Sequence, residues 1–158
     1  MADSHDNLES INRAINFFNS EHVDLVIHAG DLISPFTAKI FQNLNSKFLG
    51  VFGNNDGEIE GLRKAYRKLC YLDDFRELKI DNKSLVVLHG TNEAIVEALS
   101  SSEKYDVVIR GHTHQVGIVD NGTLVINPGE TCGYLTGNET VILMESDYLD
   151  YNVINLNE

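Results

Sequence analysis

Four apolar runs in this chain each stop at a glycine that sits beside a metal-capable side chain. They are VIHAGD (residues 26–31), FLGVFGNND (48–56), LVVLHG (85–90) and VVIRGHTH (107–114). Short apolar runs rich in β-branched residues read as buried strands. In open α/β sheets, ligand sites form beyond the carboxyl ends of such strands. Asp31, Asn54, His89, His112 and His114 therefore belong at one edge of the molecule. A fifth segment, Asp3-Ser4-His5, stands just before the first helical pattern. If that segment is extended, Asp3 and His5 face the same side, as do His112 and His114. A single His or Asp at a strand end is ordinarily a cap or a solvated group. Five such segments in one small chain are not explained that way.

The intervening pattern alternates helix and strand. Leu8, Ile11, Ile15 and Phe18 give a helix from about residue 7 to 20, with Asp6 as N-cap and Glu9 closing a capping box. Val23 to Ala29 reads as a strand, Pro35 opens a second helix, and residues 47–52 form the next strand. A polar helix over 58–69 follows, then strands at 75–80 and 84–88, a helix at 92–101 and a strand at 105–110. Asp120-Asn121-Gly122 marks a hairpin between 116–119 and 123–126, and strands at 140–144 and 151–154 close the chain. Nothing resembles a linker, so residues 1–158 are expected to form a single domain of α/β class.

Composition narrows the function. Twelve Lys and Arg against 24 Asp and Glu give a net charge of −12. An extended nucleic-acid or anionic-membrane surface needs clustered cations, which this chain lacks. Phosphate substrates stay open, because bound cations reverse the local field. No apolar run approaches the length that spans a bilayer, and the start, MADSHDN, is not a signal peptide. Two cysteines, Cys70 and Cys132, read as reduced structural thiols in a cytoplasmic protein. His22 reads as solvated and His28 as a hydrogen-bonded core residue.

Imidazole, carboxylate and amide donors suit Mn, Fe, Ni or Zn better than an all-oxygen site suits Mg or Ca. Seven donors exceed one tetrahedral site and match two ions sharing a carboxylate, the usual device for phosphate-ester hydrolysis. The ordered blocks Asp3-Ser4-His5, Gly30-Asp31, Gly53-Asn54-Asn55-Asp56, His89-Gly90 and Gly111-His112-Thr113-His114 resemble the calcineurin-like metallophosphoesterase superfamily, in its small bacterial and archaeal phosphodiesterase branch. Asn127-Pro128-Gly129 and CGYLTG (132–137) add to the likeness.

The resemblance implies a two-sheet sandwich flanked by helices with a dinuclear centre at one edge. Asp3, His5 and His114 would hold the first ion, Asn54, His89 and His112 the second, and Asp31 would bridge them. Asp31, Asn54 and His89 would carry catalysis, with a bridging hydroxide attacking phosphorus in a small phosphodiester. Two divalent ions per chain are implied, Mn first, with Ni, Fe or Zn as substitutes. A homodimer is compatible with this reading. A catalytically weak scaffold of the retromer-subunit type and a nuclease are the alternatives.

Two departures stand out. Many relatives carry a histidine after the metal-binding Asn, where it can protonate the leaving alkoxide. Here that residue is Asn55, which cannot act as an acid near neutral pH. Asp56 reads as a cap or as a group behind the ligands. Relatives also carry an apolar strand before the Asp-x-His motif, whereas only Met1 and Ala2 precede Asp3. The first strand is therefore expected to be truncated, leaving exposed sheet edges and a weakened anchor for Asp3 and His5.

Overall fold

The architecture follows from strands whose two faces are both apolar. In the computed structural model, which describes residues 1–158, the order is α1 (Leu8–Ser20), β1 (Leu25–His28), a 3-10 turn (Pro35–Thr37), α2 (Ala38–Phe41), β2 (Lys47–Gly50), α3 (Ile59–Tyr66), β3 (Phe75–Ile80), β4 (Lys83–Leu88), α4 (Glu93–Ser100), β5 (Val107–Ile109), β6 (Val116–Asp120), β7 (Leu124–Pro128), β8 (Thr140–Met144) and β9 (Tyr151–Asn155). A five-stranded sheet runs β3-β4-β5-β7-β6. Its centre is parallel, and antiparallel hairpins close both sides. On β4, Leu85 and Val87 enter one apolar cluster while Val86 and Leu88 enter another. Burial on both faces is why this strand reads as an unbroken apolar run.

The other strands form two pairs, β1-β2 parallel and β8-β9 antiparallel. Backbone hydrogen bonds join these pairs through the N-terminal residues. On one side, the Met1 ammonium donates to Ile27 O at 3.0 Å, Ala29 N–H to Met1 O at 2.9 Å and Asp3 N–H to Gly30 O at 3.0 Å. On the other, Thr131 N–H donates to Ala2 O and Cys132 N–H to Asp3 O, while Thr140 N–H donates to Glu130 O. Met1 to Asp3 thus occupy an interior position although they are too few to count as a strand. Ala2 and Asp3 are fully buried. The exposed edge expected beside β1 is covered from Ile27 to Gly30, because three residues suffice to reach along that stretch.

The layers are helices α1–α3, the joined strand pairs, the five-stranded sheet, and α4. Ile11, Ile15, Phe18, Phe41, Phe48, Leu62 and Tyr66 fill the first interface. Ala2, Ala29, Val51, Leu85, Val107, Ile109 and Ile126 fill the space between sheets, and Val96 and Tyr105 pack under α4. Truncating a buried aromatic such as Phe41 to Ala costs about 3–5 kcal/mol.

Local differences from expectation have identifiable causes. The N-cap of α1 is Asn7, whose side chain accepts from Ser10 N–H. Asp6 instead accepts from the backbone and hydroxyl of Ser34, so the capping box does not form. The second helix begins as a 3-10 turn at Pro35, and α3 ends at Tyr66, three residues early.

Candidate metal centre

Every proposed donor lies at the carboxyl end of a strand or on the N-terminal segment beside β1. The backbone there is unusual. Asp3, His5, Asp31, His112 and His114 have φ of 51°, 42°, 61°, 74° and 60°, in the left-handed region. Asp and His tolerate it better than most residues, yet each instance costs about 1–3 kcal/mol and such outliers cluster at functional sites. These turns, rather than strand alternation, aim Asp3 and His5 inward. They also send His112 and His114 to different neighbours.

One group of donors comprises Asp3, His5, Asp31 and His114, whose ligand atoms lie within 4.8 Å of one another. His5 Nε2 is 3.2 Å from Asp31 Oδ2 and 4.0 Å from Asp3 Oδ1, and His114 Nε2 is 3.7 Å from Asp3 Oδ1. His89 Nε2 lies 3.4 Å from the same Oδ2, 3.0 Å from Asn54 Oδ1 and 4.0 Å from Asp3 Oδ1. His112 Nδ1 is 2.9 Å from that Asn54 oxygen. Asp31 Oδ2 therefore stands between two sets of nitrogen donors. The structure brings all seven residues together.

The surroundings fix which atoms face inward. His89 Nδ1 donates to Ala29 O at 2.8 Å and His114 Nδ1 donates to the Glu130 carboxylate at 2.7 Å, so each ring turns its Nε2 toward the centre. Asp3 accepts from His112 N–H. Asn55 donates both its backbone N–H and its side-chain amide to Asp31, at 2.9 and 2.8 Å. Asp56 is buried and accepts from the N–H groups of Asp31, Ile33 and Gly53. It braces the two loops that carry Asp31 and Asn54, as a group behind the ligands should. The glycines allow close approach. A Cβ on Gly53 would lie 2.1 Å from Asp31 Oδ1, and one on Gly111 2.8 Å from Asp3 Oδ2.

Electrostatics match a cation site. Burial pushes the Asp31 carboxyl up, but His5, His89 and Asn55 outweigh it and hold the group well below the usual carboxylate range. Burial raises Asp3 to about 6 against the pull of His89 and His114. The Asp31 carboxylate raises His5. Burial lowers His89, and contact with Asp31 more than reverses it. Burial and then His89 lower His112. The only cationic groups within 4.0 Å of the Asp3 or Asp31 carboxylates are histidines. His5 Nε2 is buried, and its one near polar neighbour is Asp31 Oδ2 at 3.2 Å, without good hydrogen-bond geometry. Two buried carboxylates without a Lys or Arg, ringed by imidazoles, fit divalent cations.

Residues 1–148 match the domain described as the calcineurin-like phosphoesterase superfamily domain. The chain belongs to this superfamily. A protein from Methanocaldococcus jannaschii named as a phosphodiesterase is 41% identical to this phosphoesterase over 158 residues, covering 98% of the chain and 95% of the relative. A solved structure of an archaeal phosphodiesterase matches it with a TM-score of 0.94 at 41% identity, covering 98% of this chain and 96% of that one. Vacuolar protein sorting 29 from Cryptosporidium parvum shares the fold, with a TM-score of 0.67 at 16% identity over 89% of this phosphoesterase and 84% of that chain.

His28 is buried in the core, with Nε2 2.9 Å from Ser4 Oγ, and burial holds it well below its usual pKa. His22 is exposed. Both cysteines are free, Cys70 half-buried and Cys132 buried. Sequence reasoning missed Glu130, the fully buried partner of His114, and Asn127. The Asn127 amide donates to Gly111 O and Thr113 Oγ1, both at 2.8 Å, and so steadies the GHTH turn. The NPG block drew attention to Asn127, but an acidic residue between Gly and Thr reads as surface loop.

Proposed function

We propose that this phosphoesterase hydrolyses a small phosphodiester at a centre of two divalent ions. Asp3, His5 and His114 would hold one ion, Asn54, His89 and His112 the other, and Asp31 would touch both. The observation that carries this reading is Asp31 Oδ2, 3.2 Å from His5 Nε2 and 3.4 Å from His89 Nε2. When bound, such ions supply Lewis acidity toward the phosphoryl oxygens and a nucleophile at neutral pH. Manganese is the ion we favour from the mixed N and O donors. The M. jannaschii phosphodiesterase supports the substrate class.

The chain's own groups have distinct tasks. Asp31, kept ionised, places its carboxylate between the two histidine sets, and Asn55 fixes the orientation of that carboxylate. His89 and His114 keep their Nδ1 protons on Ala29 O and Glu130, so neither ring can turn away. No histidine follows Asn54, and Asn55 donates its amide to Asp31. The leaving group must therefore depart without a proton from that position.

A cleft of about 300 Å³ adjoins Asn54 and His89, lined also by Phe52, Leu88, Asn92 and Ile95. Its ten lining residues include no Lys or Arg and one acid, Asp74. That suits a small, uncharged organic arm rather than a polyanionic strand. Two free thiols suit a reducing, cytoplasmic setting. The test is hydrolysis of bis(p-nitrophenyl) phosphate by chelator-stripped protein before and after Mn is added. Activity restored by Mn supports the reading, and none with any divalent ion would remove it.

A further inference from the structure

We propose that Glu130 is the positioning residue of the first half of this centre. It fixes His114 through its side chain and Asp3 through its backbone segment, and it ties the loop over 132–137 to the same anchor. The inference rests on the reading that the centre holds metal.

Glu130 is fully buried, and His114 is the only cationic group within 4.0 Å of its carboxylate. One oxygen accepts His114 Nδ1–H at 2.7 Å. The carboxylate also accepts the Leu135 N–H at 2.9 and 3.1 Å, the Thr136 N–H and, at 3.3 Å, the Cys132 thiol. The adjoining backbone reaches Asp3 directly, since Thr131 N–H donates to Ala2 O and Cys132 N–H donates to Asp3 O. One short segment therefore orients two ligands that are far apart in sequence.

Burying a carboxylate is costly unless its lone pairs are filled. Here most of the donors come from the loop over 132–137, which the Asn7 and Asn157 amides also hold at Cys132 O and Gly137 O. That loop turns at Gly133 and Gly137, both with positive φ, and it exposes Tyr134 and Leu135. A carboxylate behind a ligand histidine fixes its tautomer and ring orientation, and losing such a partner typically weakens metal binding about 10–100-fold. Glutamine has the shape of Glu130 but sets an NH₂ against either the loop N–H groups or His114 Nδ1–H. Both networks cannot then be satisfied.

Two readouts test this. The first needs no metal and no variant: long-range ¹⁵N–¹H correlation of the histidine rings in the metal-free protein. His114 should carry a proton on Nδ1. A ring protonated on Nε2 with Nδ1 bare would overturn the proposal. The second is Mn titration calorimetry of Glu130→Gln. One of the two sites should weaken about 10–100-fold while the other holds within a few-fold, and the His114 tautomer should shift toward Nε2–H. Wild-type affinity at both sites, or an equal loss at both with the His114 tautomer unchanged, would refute the positioning role. If Glu130→Gln does not fold, the wild-type tautomer decides. If the wild-type protein binds no Mn, the metal reading falls, and the tautomer in the wild type and Glu130→Gln still judges whether Glu130 sets His114.

Discussion

The two halves of the centre are built differently. Asp3, His5 and His114 sit on left-handed backbone. Asp3 is fully buried, and His114 is backed by the equally buried Glu130. In the other half, Asn54 is exposed, His112 is half-buried, and an open cleft adjoins Asn54 and His89. His89 alone has a buried backbone anchor there, Ala29 O. His112 shares the left-handed backbone at φ 74°, so the first half is set apart by the buried carboxylates of Asp3 and Glu130. The second leaves Asn54 and His112 open toward solvent, where a substrate can approach, while His89 is buried. On the two-ion proposal, the buried half would hold its ion firmly and the open half would keep coordination positions accessible.

Replacing the shared residue should disable both halves at once. Asp31→Asn should lower kcat/KM for an aryl phosphodiester by about 10³-fold or more, the scale of losing a central electrostatic stabiliser. Asp24→Asn, at an exposed acid outside the site, should stay near wild type.

Between the halves lies Asn55. Without an acid there, the rate should depend steeply on leaving-group pKa, with aryl diesters far faster than alkyl ones. Asn55→His should narrow that gap, mainly by raising alkyl rates, since general acid catalysis contributes about 10²–10⁴-fold. Its amide bond to Asp31 would be lost as well, so the aryl rate should fall modestly. A series of substituted aryl esters and one alkyl ester, with both proteins saturated in Mn, measures this. A flat dependence in wild type would show that another group donates the proton or that bond breaking is not rate-limiting.

The close packing behind the carboxylates is tested by small changes. Gly53→Ala drives a Cβ into Asp31 and should cost about 1–3 kcal/mol. Gly57→Ala meets nothing within 4 Å and should leave the thermal midpoint nearly unchanged.

The smallest effect is a pH slope. Asp3 rises from an ordinary 3.8 to about 6, so its proton is held more tightly folded than unfolded. The stability this contributes is full below about pH 4 and lost as pH climbs through about 6. His5 and His89, also raised, act in the same direction near neutral pH. On the acid side, Asp31 and Glu130 are depressed, Glu130 to about 2 despite its burial, because of its bonds to His114 and Thr136. Their contribution fades as pH falls below about 4.5. Metal competes with the protons on Asp3, His5 and His89. The Mn-induced rise in melting temperature should therefore grow from about pH 5 to 7.5. A rise that shrinks over this range would contradict the assignment of these three ligands.

Much of this could be read from sequence, for reasons visible in particular residues. Strands β3 and β8 fall at the expected bounds because alternation or continuous apolarity marks them. Asp31, Asn54, His112 and His114 stood out because each follows an apolar run and a glycine, His89 because it stands between an apolar run and Gly90, and Asp3 and His5 because of their Asp-x-His spacing. What stayed hidden was non-local. Met1 to Asp3 take an interior position through hydrogen bonds to β1 and to residues 131–132, which no local pattern announces. Asp6 looked like a cap but is drawn to Ser34, 28 residues away. Glu130 has no strand-end signature, and its role appears only once His114 and the loop at 135–136 are folded against it.

On our proposal, seven side chains on five segments make one centre for two ions. It is tested most directly by elemental analysis of folded protein loaded with Mn and then passed through a desalting column. The value should approach two Mn per chain and fall clearly below two in Asp31→Asn. A reproducible value near zero in folded wild-type protein, or a value of one that Asp31→Asn does not change, would contradict it.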